Sequence, residues 1–355
     1  MSELPFPSEV KKAETGAEAN AAGAVIEPPN FKLLGRLFLV PLIIVTAAVG
    51  IMFLIGRLAG STPSFDEALT RLKAPGGQKT MDLLVGPGSK QRYMDAKTLV
   101  DEMKSGLTLE QRAKISRELV NIITNHTRDT EGDVRHFLLL ALGRVWQLDP
   151  AQPATADTLD ASTARQQALA TLMNFAQSME ISNRKAAILA LAYWSGRSET
   201  GQALPLLLEK LQDGHEDIDV RLSAATVLGP IAQPTDAHVI AALHKVMDDA
   251  DSAHRELVWA SALSLAQLNQ ADVAPTILML LDRKELAQLE ILDREADPSN
   301  PTYRKLNELE QQRYLINTMI GASKLNAPEI RQRLADLRDH DPSPRVRNAA
   351  REVLR

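Results

Sequence analysis

The feature that most restricts how this chain can fold is an internal repeat marked by arginine. Six ten-residue frames align without gaps: VRHFLLLALG from Val134, NRKAAILALA from Asn183, VRLSAATVLG from Val220, HRELVWASAL from His254, QRYLINTMIG from Gln312 and VRNAAREVLR from Val346. Their arginines, Arg135, Arg184, Arg221, Arg255, Arg313 and Arg347, are separated by 49, 37, 34, 58 and 34 residues, so three intervals hold a period near 35 and two carry insertions. A weaker seventh frame, QRYMDAKTLV from Gln91, puts Arg92 43 residues before Arg135. Eight positions after the arginine stand Gly143, Ala192, Gly229 and Gly321, so that position is small in most frames. A unit of this length is one supersecondary element, and it buries its apolar face only by stacking on neighbouring copies.

Each frame is apolar at helical spacing, and each is preceded by a second amphipathic stretch, such as LATLMNFAQSM from Leu169 or VIAALHKVM from Val239. Two helices per period and no strand alternation predict an all-α fold. It is a right-handed α-solenoid of about six to seven helical hairpins over residues 61–355, preceded by a single transmembrane helix. Asp133, Ser182 and Asp219 stand two residues before their arginines as expected N-caps. Ser343-Pro344 supplies a cap followed by Pro at N1, and Thr108 with Gln111 fits a capping box.

The two long intervals read differently from each other. Leu148 to Ala164, rich in Pro, Ala, Thr and Asp, predicts a loop between hairpins. Between Leu281 and Arg313 the charged helical pattern continues on both sides of a turn at Asp297–Pro301, which predicts a protruding helical hairpin at about 283–312. Its seam is expected to set Leu286, Leu289 and Leu292 against Tyr303, Leu306 and Leu309.

At the other end of the chain, residues 1–30 hold five Glu, two Lys and four Pro with no apolar period, and are expected to form a disordered tail. Leu37 to Gly56 is a run of 20 uncharged residues between Arg36 and Arg57, long enough as a helix to cross about 30 Å of hydrocarbon. It predicts an uncleaved single-pass anchor over 33–58, because the preceding tail is long and acidic and no clean small-x-small site follows. Cations flank both ends, Lys32 and Arg36 against Arg57, Arg71 and Lys73, so the positive-inside rule leaves the side of the solenoid undetermined.

Asp133-Val134-Arg135 and Asp217-Ile218-Asp219-Val220-Arg221 are close to the opening of the second helix in HEAT repeats, and with several copies in register residues 90–355 resemble the HEAT-repeat (armadillo-like) family. The resemblance implies a scaffold that binds proteins or peptides, because most HEAT-repeat proteins are of that kind. A few branches are not. The HEAT-like di-iron hydroxylases depend on several His-Glu pairs, and His215-Glu216 is the sole such dipeptide here. The HEAT-like DNA glycosylases use a basic groove, against which stand 45 Asp+Glu to 40 Lys+Arg, a net charge of −5 and no Lys/Arg cluster.

The remaining chemistry is thin. Without cysteine there are no disulfides, thiolate metal sites or cysteine nucleophiles. The seven histidines are not spaced for ligation, and Gly86-Pro87-Gly88-Ser89-Lys90 lacks the length and ending of a phosphate loop. No cofactor, metal or catalytic residue is expected, nor nucleic acid as a partner. The repeat arginines are read as structural, each bonding acidic groups or carbonyls of an adjoining repeat. Trp146, Tyr193, Trp194 and Trp259, in or just after the second helices, are the candidate partner-binding residues. The reading is a membrane-anchored, non-enzymatic scaffold held by residues 37–56, with a bilin-lyase-like enzyme or enzyme subunit as its rival.

Overall fold

The computed structural model describes residues 64–73, 88–103, 106–126, 132–148, 158–249, 254–293, 302–325 and 327–355. The uncharged run at 37–56 and the tail before it lie outside them. Among the described residues no helix is long and apolar enough to cross a membrane.

The described residues form fifteen α-helices. In chain order they are α1 (Phe65–Lys73), α2 (Gly88–Asp101), α3 (Leu109–Asn121), α4 (Gly132–Val145), α5 (Leu159–Phe175), α6 (Ile181–Leu191), α7 (Leu204–Gln212) and α8 (Ile218–Ile231). There follow α9 (Ala237–Asp249), α10 (Arg255–Gln267), α11 (Ala274–Leu280), α12 (Arg283–Leu286), α13 (Glu308–Ala322), α14 (Pro328–His340) and α15 (Pro344–Val353). Every frame arginine lies on the second helix of a hairpin. The pairs are α1/α2, α3/α4, α5/α6, α7/α8, α9/α10, α11/α13 and α14/α15. Second helices pack in sequence, α2 on α4, α4 on α6, α6 on α8 and α8 on α10, while α3 packs on α5, α7 on α9 and α11 on α14. Each unit thus touches chiefly its neighbours, in two layers, as a solenoid does.

The small position explains how closely the second helices stack. A Cβ built on Gly143 would lie 2.8 Å from the Cβ of Ala190 on α6, and one on Gly229 would lie 2.7 Å from the Cα of Ser264 on α10. Any side chain there would force the backbones apart. Among the frames with a stacked copy on both sides, the fourth breaks the rule with Leu263, and α10 packs on α13 over less of its length than α8 packs on α10.

Several expected helix starts are corrected. Asp133, Ser182 and Asp219 are inside the first turns of α4, α6 and α8, and the N-caps of α6 and α8 are Glu180 and Asp217. Only Asp217 of these two caps with its side chain, on the Asp219 amide at 2.9 Å. Ser343 is the N-cap of α15 with Pro344 following, but its hydroxyl bonds Gln312 at 3.0 Å instead of the backbone. The Thr108–Gln111 capping box forms, and Asn307–Glu310 makes a second at α13. The expected loop at 148–164 ends early, because Thr158 caps α5 and the helix begins at Leu159.

The expected helical hairpin at 283–312 is also corrected. The outgoing helix α11 ends at Leu280, and Asp282 then caps the separate four-residue α12 through the Lys284 and Glu285 amides. The chain then forms two short antiparallel strands, β1 (Glu290–Leu292) and β2 (Tyr303–Lys305), in the register Glu290 to Lys305, Ile291 to Arg304 and Leu292 to Tyr303. Leu286, Ile291 and Leu306 are buried, so the insertion folds onto the stack instead of standing clear of it. Asn307 caps α13 and fixes where the returning helix begins, and the three residues of β2 just before it pair with the three of β1.

Candidate functional site

The aromatic candidates are mostly core. Trp146 and Trp194 are fully buried, and Tyr193 is half-buried. Trp146 donates its indole N–H to Ser116 Oγ at 3.0 Å, and the Arg165 and Arg197 guanidinium carbons lie 5.7 and 5.9 Å from its ring. Its carbonyl accepts from Arg197 Nε at 2.6 Å. A residue so enclosed joins repeats and presents nothing to a partner. Trp259, largely buried, forms part of the floor of a groove.

The repeat arginines divide by their place in the helix. Arg135, Arg184, Arg221 and Arg347 are each the fourth residue of α4, α6, α8 and α15. From there the guanidinium of Arg184, Arg221 and Arg347 reaches back to the turn between the two helices of its own hairpin. Arg184 donates to the carbonyls of Ser178 at 2.7 Å and Met179 at 3.0 Å, Arg221 to Leu211 at 3.1 Å, and Arg347 to Asp341 at 2.6 Å. These carbonyls lie at or beyond helix ends, where partners within the helix run out. Arg135 and Arg184 also reach an acid of the next repeat, Glu180 at 3.7 Å and Glu216 at 2.7 Å. Burial pushes the Glu216 carboxyl up, but hydrogen bonds from Lys210, the Asp217 amide and Arg184 outweigh it and hold the carboxyl below its usual range.

Arg313 is different. α13 begins two residues earlier relative to its frame, so Arg313 is the sixth helical residue, and Gln311 Nε2 takes the Leu306 carbonyl at 2.9 Å. Arg313 is exposed and makes no hydrogen bond or ion pair with another described residue.

It stands on the rim of a groove of about 530 Å³ that crosses α8, α10 and α13. Leu222 and Thr226 come from α8; Trp259, Leu263 and Gln267 from α10; and Tyr314, Asn317 and Ile320 from α13. Ile291 of β1 closes one side, so the insertion helps to build the groove. Trp259 and Tyr314 meet edge to face with centroids 5.7 Å apart, and the Tyr314 hydroxyl donates to Glu256 at 3.0 Å. Leu263, in the position that is small elsewhere, extends toward Gly321 on α13, and its Cδ2 would lie 3.1 Å from a Cβ built there. Ile320 keeps 56% of its surface exposed at the edge.

The acids around the groove are paired off. Arg304 holds Glu310 through both terminal nitrogens, at 2.8 and 2.6 Å, and this hydrogen bonding, against the opposing effect of burial, lowers the Glu310 carboxyl to about 2. Sequence reasoning missed Tyr314, Leu263, Ile320, Gln267 and Asn317. The signal for Tyr314 and Asn317 was the stripe one and four to five residues after the arginine, where Leu222, Thr226 and Glu256 are also at least partly exposed.

Among the described residues no group of three His, Asp or Glu side chains is placed to hold a metal ion. No family model matches the chain, and no curated protein matches it in sequence.

Proposed function

We propose that this chain is a HEAT-type scaffold, held at a membrane by residues 37–56, that docks a protein partner in the groove across α8, α10 and α13. The observation that carries the reading is the groove itself. It is an apolar cleft with an aromatic pair in its floor, exposed aliphatic edge residues and two side-chain amides, set on stacked helices of which α8 has its arginine, Arg221, committed to the turn carbonyl of Leu211. Clefts of ~300–1,000 Å³ with a few polar groups among apolar ones are where ligands bind on folded proteins. A rigid support beneath them lowers the entropic cost of association.

The test is affinity capture from detergent-solubilised membranes with full-length protein and its Ile320→Asp variant, which changes an exposed edge residue. A stoichiometric protein partner held by the wild type and lost by the variant at unchanged melting temperature supports docking in the groove. Equal recovery by both refutes it. A co-purifying chromophore, with no protein partner, would favour the lyase-like reading.

A further inference from the structure

The scaffold reading leaves the chemistry of the partner open, and Arg313 narrows it. Three charged residues line the groove: Glu256, Glu310 and Arg313. Glu310 is clasped by Arg304 and accepts the Asn307 amide at 2.8 Å, and Glu256 accepts from Tyr314. Arg313 lies near enough to Glu310 to help lower its carboxyl but forms no ion pair with it. The one charged side chain at the groove with no committed partner among the described residues is therefore a cation. Its counterparts Arg184, Arg221 and Arg347 spend their donors on turn carbonyls, and the two-residue shift of α13 removes that task from Arg313; Arg255, first in α10, is exposed as well but does not line the groove.

A planar guanidinium with its donors exposed selects a carboxylate or a phosphate. A polyanion is disfavoured, because a single cation faces the groove and the chain carries a net charge of −5. The rest of the lining fits a peptide. Gln267 and Asn317, on neighbouring helices, each offer donors and an acceptor to a main chain, and Leu263, Ile291 and Ile320 offer contact to aliphatic side chains. Resting on the scaffold reading, we infer that the groove binds a peptide segment in which an Asp or Glu, paired with Arg313, stands beside aliphatic residues.

A phage-displayed library of random 12-residue peptides, selected on full-length protein in detergent, tests this. Wild type is expected to enrich sequences with Asp or Glu next to Leu, Ile or Val. The best peptide should bind Arg313→Glu at least about tenfold more weakly, the scale of losing one charge-assisted hydrogen-bonded pair, at an unchanged melting temperature. Replacing its acid with Lys should restore affinity for Arg313→Glu. Peptides that depend on Ile320 but carry no acid, or that bind Arg313→Glu undiminished, overturn the inference and leave the groove standing as a docking site. Failure to enrich any peptide on wild type over Ile320→Asp overturns both.

Discussion

The hairpins α5/α6 and α11/α13 carry the same arginine frame and put it to opposite uses. In α6 the arginine is fourth in its helix, half-buried, and bonded to two turn carbonyls and to Glu216 of the next repeat. In α13 it is sixth, exposed, and bonded to none of the described residues. The α4–α6 contact is closed by Gly143 against Ala190, whereas the α10–α13 contact carries Leu263 where a small residue is the rule. One shift of register and one larger side chain thus turn a structural seam into an open groove. A repeat protein can gain a binding surface by relaxing one copy while the others keep the stack rigid.

The largest effect expected from breaking this contrast is in the stack. Leu228→Asp puts a charge at a fully buried position of α8 and should cost about 3–5 kcal/mol, whereas Leu309→Asp, at a position 57% exposed on α13, should be close to neutral. Denaturant melts of the two variants with equal midpoints would contradict the assigned register.

A smaller effect separates the two glycine contacts. Gly143→Ala forces its Cβ against Ala190 and should cost about 1–3 kcal/mol. The one tight contact of Gly321→Ala is with the flexible Cδ2 end of Leu263, and the gain in helix propensity of roughly 1 kcal/mol should offset it. Circular dichroism melts showing equal losses would remove the distinction between the tight and the open seam.

The smallest effect is on pH dependence, and it also divides between the regions. Burial lowers the His136 imidazole below its ordinary 6.5, so the folded chain prefers it neutral. The unfolded chain then binds the extra proton first, and stability present above pH 6.5 is lost as pH falls below it. His136→Gln should flatten that part of the melting curve. The Glu310 carboxyl, lowered from 4.5 to about 2, contributes stability that is full above 4.5 and lost as pH falls toward 2. Arg304→Gln should remove this second dependence and leave the first.

The stacked hairpins were legible because a 3.6-residue apolar period and a frame repeated six times constrain each other. Helix starts were less so: Asp217 and Asp219 are both good caps two residues apart, and only the backbone decides between them. The insertion misled in an instructive way. Leu292 and Tyr303 do face each other, as the expected seam required, but across a β ladder, since three-residue strands leave no period-2 pattern to read. Residue type alone does not separate a binding tryptophan from a core one, and Trp146 and Trp194, eleven and ten residues past their arginines, are fully buried. The groove was half legible. Leu263 at a small position was visible in the aligned frames, but the release of Arg313 depends on where α13 begins, and that is set by the Asn307 cap.

The account rests on one claim, that the same repeat position is structural in α6 and free for binding in α13. Its most direct test is the melting temperature of full-length Arg184→Ala and Arg313→Ala measured side by side. Arg184→Ala is expected to lose several degrees, because removing it leaves the Ser178 and Met179 carbonyls and the Glu216 carboxylate short of a donor, at a cost of about 1–3 kcal/mol. Arg313→Ala is expected to melt with the wild type. A loss in Arg313→Ala equal to that in Arg184→Ala would show that both arginines hold the stack, and would contradict the claim.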